Sequence, residues 1–204
     1  MLNKVVTHGI KKRFPTLYRY VVGNPLLVRI ICELDRPRFI WNLLWKRSYV
    51  GLLYLSEQVW PARRPFMKQL VKREINDANG RFDVLEIGSY AGDSMLIWAG
   101  AIRENPKISG EVVCVDCFKI TPLDSYINCA LHLMAPAQDN GAILKLFRHN
   151  VSSSQCGHIV NLLVGSSEEI LPKLVERNRG TIVELCTLNA VTFLTDVTLL
   201  SRNS

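Results

Sequence analysis

An acidic residue, two glycines and a second acidic residue further along carry most of the chemistry written in this chain. The stretch Val84-Leu85-Glu86-Ile87-Gly88-Ser89-Tyr90-Ala91-Gly92-Asp93-Ser94 runs from a buried strand through a glycine turn into the start of a helix. Glycine lets the backbone turn sharply and lets a ligand approach with no Cβ in the way. The spacing Glu86-x-Gly88-x-x-x-Gly92 departs from the G-x-G-x-x-G that seats a pyrophosphate on a helix N-terminus. Glu86 puts negative charge where a pyrophosphate would be repelled, so a cationic or zwitterionic ligand fits better. Asp116 follows Glu86 by 30 residues and ends the apolar run Val112-Val113-Cys114-Val115. There its carboxylate can accept hydrogen bonds from two ribose hydroxyls. Gly165 and Ser166 close a third apolar run. In an open parallel sheet, ligands bind beyond the carboxyl ends of the strands, so the three positions converge on a nucleoside-bearing ligand.

The elements that must position these residues follow from the hydrophobic pattern. Phe82 to Ile87 is a near-continuous apolar run, suited to a strand buried on both faces. Asp93 to Arg103 reads as a helix, Glu111 to Val115 as the second strand, and His158 to Val164 as the third. Leu123 to Leu133 and Gly141 to Phe147 read as helices between them. A helix follows from Glu168 to Leu174, and Ser166 with Glu169 has capping-box spacing, so Ser166 has a structural role open to it as well. Strands alternating with helices predict an α/β, Rossmann-like, doubly wound parallel sheet. Residues 1–80 read as a basic helical extension, broken by Pro15, Pro25, Pro37, Pro61 and Pro65. Pro25 to Glu33 and Phe39 to Trp60 carry helical patterning, and Pro65 to Asn76 is amphipathic, with Met67, Leu70, Val71 and Ile75 on one face. Asn79-Gly80 ends that helix, and the domain boundary is placed there, with residues 81–204 forming the ligand-binding domain.

With these motifs in order, the chain resembles the class I S-adenosylmethionine-dependent methyltransferases. The turn from Glu86 to Gly92 looks like their first motif and Val113-Cys114-Val115-Asp116 like their second. Val164-Gly165-Ser166-Ser167-Glu168-Glu169-Ile170-Leu171-Pro172 is similar to the third strand and next helix of the small-molecule and sugar O-methyltransferase branch. The resemblance covers roughly Asp83 to Leu174. It implies S-adenosylmethionine as cofactor and methyl transfer to a hydroxyl of a small molecule or sugar. It implies that Glu86, Gly88, Ser89, Tyr90 and Gly92 surround the methionine part, that Asp116 holds the ribose hydroxyls, and that Ser166 lies near the adenine. Tyr90 in the turn lines the pocket or packs. Related enzymes often use a divalent metal held from the fourth strand onward, and no such ligands are identifiable here.

Beyond Arg179 the resemblance stops. The family's fourth strand commonly resembles F-D-hydrophobic-x-Y-I-D-G-x-H, and that acidic–histidine pattern is missing from residues 180–192. Codons started one base early from Leu185 can read V-V-Y-I-E-C-S-H, so the chain reads as the truncated or frameshifted front of a longer methyltransferase. The sheet expected is incomplete, with about four strands. The alternative is a catalytically incompetent cofactor-binding fragment or pseudo-enzyme acting through its basic N-terminal helices. A dinucleotide oxidoreductase is disfavoured by Glu86 and the glycine spacing.

Charge and cysteine usage narrow the partners. Residues 1–80 hold 15 Lys and Arg against 5 Asp and Glu, whereas residues 81–204 hold 10 against 13. A basic, apolar segment suits an anionic membrane surface, an acceptor lid or a homo-oligomer face, or is a solvated helical face. No zinc-finger or RNA-binding signature points to nucleic acid. No apolar run approaches the roughly 20 residues needed to span a bilayer, and no secretory leader is evident, which points to a cytoplasmic protein. The six cysteines lack a disulfide-scaffold spacing. Cys114 and Cys117 form a C-x-x-C, but Cys114 falls inside a strand and no second ligand pair makes a zinc site, so both read as packing residues. His132, His149 and His158 have no metal-ligand spacing.

Overall fold

Three apolar runs become three parallel strands in the computed structural model, which describes residues 25–53, 63–78, 80–119 and 140–177. In chain order the described elements are helices α1 (Pro25–Leu34), α2 (Arg36–Leu44) and α3 (Arg63–Asp77), strand β1 (Val84–Ile87), helix α4 (Asp93–Glu104), strand β2 (Val112–Asp116), helix α5 (Ala142–Ser153), strand β3 (Val160–Val164) and helix α6 (Ser167–Arg177). The sheet order is β1-β2-β3. Val84 stands opposite Val112, and Val112 opposite Val160, so all three carboxyl ends fall at one edge. This is the α/β Rossmann-like arrangement expected. The expected helix at 123–133, His132 and the candidate fourth strand and altered frame after residue 180 lie outside the described residues.

One core joins the sheet to the helices around it. Val84, Val112 and Cys114 from the strands pack with Met95, Trp98 and Ile102 of α4. Ile143 and Phe147 of α5 enter the same cluster. The Phe118 and Phe147 rings meet edge-on at 5.7 Å. The predicted face of α3 is the buried one: Met67, Val71 and Ile75 are buried in this core, with Leu70 packed against it. Burying each such side chain contributes roughly 1.5–3 kcal/mol, more than the few tenths that separate helix propensities, so packing fixes this helix. No described helix is long and apolar enough to cross a membrane.

Two expectations shift for local reasons. Of the helical reading of Phe39 to Trp60, the part over Phe39 to Leu44 forms, residues 45–53 turn away, with Lys46 at φ 49°, and residues 54–60 lie outside the described residues. The amides of Trp45, Lys46 and Arg47 still close back on carbonyls of α2, and three of those that follow are served by side chains instead of by a helix. Tyr49 N–H donates to Asn150 Oδ1 at 2.7 Å, Leu52 N–H to Asp35 Oδ2 at 2.7 Å, and Leu53 N–H to the Tyr49 hydroxyl at 2.9 Å. Conversely, α5 runs past the expected Phe147 to Ser153. Its polar end hydrogen-bonds back onto its own turns: Ser152 Oγ donates to His149 O at 2.9 Å and Ser154 Oγ to Val151 O at 2.8 Å.

Candidate functional site

The turn after β1 is built on left-handed backbone. Gly88 has φ 79°, Tyr90 φ 48° and Gly92 φ 84°. Gly88 N–H donates to Val115 O at 2.9 Å, holding the turn to β2, and Gly92 N–H closes back on Ser89 O at 2.8 Å. Gly92 O then accepts from Leu96 N–H at 3.0 Å, the first bond of α4. A side chain at Gly92 would have no room: its Cβ would stand 2.8 Å from Met95 Cε and 3.1 Å from the Phe147 ring. A non-glycine residue at positive φ is strained by about 1–2 kcal/mol. At Tyr90 that strain is offset by a charge-assisted bond, its N–H donating to Asp116 Oδ2 at 2.6 Å.

Asp116 thus ties the first two strand ends together. Its other oxygen, Oδ1, accepts from Phe118 N–H at 2.6 Å. Burial raises the Asp116 pKa from its ordinary value, against the pull of these two amides. The third strand joins through backbone, Gly165 N–H donating to Asp116 O at 3.0 Å. The structure therefore brings Glu86, the turn from Gly88 to Gly92, Asp116 and Gly165–Ser166 to one edge. Ser166 is half-buried, and its hydroxyl accepts from Glu169 N–H at 3.3 Å, realising the helix cap its spacing predicts.

Beneath the turn, Glu86 is buried on β1, in register with Cys114. The Cys114 thiol donates to Glu86 Oε2 at 3.7 Å. Burial first, and the Glu86 charge second, push the thiol's pKa well up, so Cys114 stays protonated and packs as expected. Ser89 is buried in the turn, and its hydroxyl makes no hydrogen bond of good geometry. Tyr90 packs against both clusters of the core.

Sequence reasoning missed the residues that seat the turn from behind. Asn150 on α5 is fully buried. Its amide donates to Ala91 O at 2.8 Å and to Tyr49 O at 2.9 Å, while its Oδ1 accepts from Tyr49 N–H. Tyr49, Leu53, Ala91 and Leu146 form a second small core, with Phe39 against it. Behind Tyr49, buried Asp35 accepts the tyrosine hydroxyl at 2.7 Å. An asparagine inside an otherwise amphipathic helix is the one signal that could have pointed there, since Asn disfavours helix interiors unless its side chain finds partners.

Other candidates separate from this site. His149 Nε2 lies 3.0 Å from Arg47 O, and His158 is exposed. Cys32, Cys114, Cys117 and Cys156 are free thiols. Among the described residues no group of three His, Cys, Asp or Glu gathers as a metal site. A shallow pocket of about 300 Å³ lies between Ile102, Ser109 and Ile159, at the amino ends of the strands and away from this edge.

A parallel sheet whose glycine turn is pinned by a carboxylate from the neighbouring strand end is an arrangement found in nucleoside-cofactor domains. Comparison with protein families makes that specific: the family described as "Methyltransferase domain" matches residues 85–188. The chain belongs to the class I S-adenosylmethionine-dependent methyltransferase family. Among solved structures it is similar to cofactor-bound Rv0187 from MTB, at 20% identity over 57% of this chain and 39% of that one, with a TM-score of 0.36. It is also similar to CalS11, a calicheamicin methyltransferase, at 16% identity over 72% of this chain and 62% of that one, with a TM-score of 0.37. The chain therefore spans less than two thirds of the length of either. No curated protein matches it.

Proposed function

We propose that the chain binds S-adenosylmethionine at this edge and takes part in methyl transfer to a hydroxyl of a small molecule or sugar. The observation that carries the reading is Asp116, a carboxylate at the end of β2 that already fixes the Tyr90 amide of the turn. Each of its oxygens accepts one backbone N–H. A carboxylate has about four acceptor positions, so both oxygens keep one for a ribose hydroxyl. Buried Glu86 supplies negative charge below a ligand with a positive centre, and the buried Ser89 hydroxyl gives the turn a further polar group. The residues present fit the cofactor.

When bound, S-adenosylmethionine supplies an electrophilic methyl group on a sulfonium. The chain's own residues contribute position. The turn from Gly88 to Gly92 and Asp116 hold the nucleoside and sulfonium ends in one orientation, and alignment of this kind accounts for much of the rate in such displacements. Held there, the cofactor would supply its methyl group to the acceptor oxygen and leave as the neutral thioether, and a base would take the hydroxyl proton.

Transfer of a labelled methyl group from S-adenosylmethionine to a panel of hydroxyl-bearing small molecules and sugars tests this. Labelled product that disappears in Asp116→Ala supports it. Cofactor binding without transfer to any acceptor identifies instead a cofactor-binding module that acts through its basic N-terminal helices.

A further inference from the structure

Helices α1 and α2 turn an apolar surface outward that the methyl-transfer reading leaves unused. On α1, Leu26, Ile30 and Leu34 recur every fourth residue and form one ridge, with Leu34 75% exposed. On α2, Ile40 and Leu44 form one such pair and Trp41 and Trp45 another. Leu44 is 75% exposed, and Trp41 and Trp45 are 55% and 59% exposed with their rings 5.5 Å apart. No residue of α2 is buried. A soluble protein rarely leaves two tryptophans and a row of aliphatics in water without a partner for them.

The charge around this surface has one sign. Residues 25–53 hold Arg29, Arg36, Arg38, Lys46 and Arg47 against Glu33 and Asp35. Both acids are engaged locally: Glu33 is gripped by Arg36 at 2.5 and 2.8 Å, and Asp35 is buried and lies 3.6 Å from Arg38. The preceding sequence adds Lys4, Lys11, Lys12, Arg13 and Arg19, and residues 1–24 contain no acid.

We infer that α1 and α2 dock the protein on an anionic lipid bilayer. Aliphatic side chains would enter the acyl boundary, the indoles would sit at headgroup level, and Arg29, Lys46 and Arg47, which are exposed, would reach lipid phosphates. Basic residues near such a surface contribute about 1 kcal/mol each, and their long stems let the charge stay in water. A second copy fits this surface less well, because a two-fold contact would press like charges together. The inference is independent of cofactor binding, which can be titrated on the same sample.

The test is co-sedimentation of the full chain with large vesicles of phosphatidylcholine alone or mixed with phosphatidylglycerol. The expected result is sedimentation with the phosphatidylglycerol vesicles, reversed by high salt. A Trp41→Ser/Trp45→Ser variant should bind roughly tenfold more weakly or worse. Both indoles are largely exposed, so its circular dichroism and melting temperature should match the parent. Failure of the parent to sediment with anionic vesicles overturns the inference, as does equal binding by a folded double variant. A dimer in sedimentation velocity that the double variant abolishes, without vesicle binding, overturns it in favour of a second copy.

Discussion

Asp116 does two things at once, and each can be measured. It accepts the Tyr90 and Phe118 amides at 2.6 Å, and in the proposed function its remaining acceptor positions take a ribose. Because burial raises its pKa, the folded chain binds this proton more tightly than the unfolded chain. Its contribution to stability is therefore greatest below the unfolded pKa and falls as pH climbs through the folded one. In the proposed function the ribose is held by the ionised carboxylate. Affinity for S-adenosylmethionine should accordingly drop on acidification, with a midpoint above the ordinary aspartate value, and Asp116→Asn should erase that limb. Titrations across acidic pH decide it, and a parent profile flat down to the ordinary range counts against the assignment. Asn150 is the second residue to change. Asn150→Ala would strand the Tyr49 amide and the carbonyls of Tyr49 and Ala91. Each buried group left unpaired costs about 1–3 kcal/mol, so with three stranded denaturant unfolding should show a loss of about 3 kcal/mol or more.

Among the elements, the β1–α4 connection is constrained both in backbone conformation and in space. Gly92 needs both a left-handed φ of 84° and empty space beside Met95 and Phe147, whereas Gly141 has a left-handed φ of 71° with nothing within 4 Å of an added Cβ. Gly92→Ala should destabilise by about 2–4 kcal/mol and Gly141→Ala by only about 1 kcal/mol. Equal shifts in thermal denaturation would mean that backbone conformation alone matters at Gly92. These elements were largely legible in the sequence because their signals are local. Apolar runs marked the strands to within two residues, the four-residue rhythm of Met67, Val71 and Ile75 marked the buried face of α3, and Ser166 with Glu169 marked a cap that forms. The segment 45–53 was not legible, because the Leu52 amide is satisfied by Asp35 and the Tyr49 amide by Asn150, the latter about a hundred positions away. The length of α5 was missed for a similar reason: hydroxyls returning to their own backbone disguise a helix as a polar loop.

For the whole molecule, contacts cross the boundary read at Asn79-Gly80. Helix α3 shares the main core with α4, and the segment around Tyr49 packs on Ala91 at the centre of the β1–α4 turn. A chain begun after Leu53 should therefore lose cofactor affinity as well as stability, since the turn loses Tyr49 and Leu53 behind it. Melting temperatures with and without S-adenosylmethionine would reveal this as a smaller ligand-induced shift than the full chain gives. A truncated chain with an undiminished shift would show that the turn stands without the N-terminal helices. The central claim is that the turn from Glu86 to Gly92 and Asp116 form one S-adenosylmethionine site. Calorimetric titration of the full chain and of Asp116→Ala with S-adenosylmethionine tests it most directly. The account predicts one-to-one binding by the parent, weakened roughly 100-fold in a variant whose circular dichroism stays folded. A folded parent that binds nothing, or an Asp116→Ala variant that binds as tightly as the parent, would contradict it.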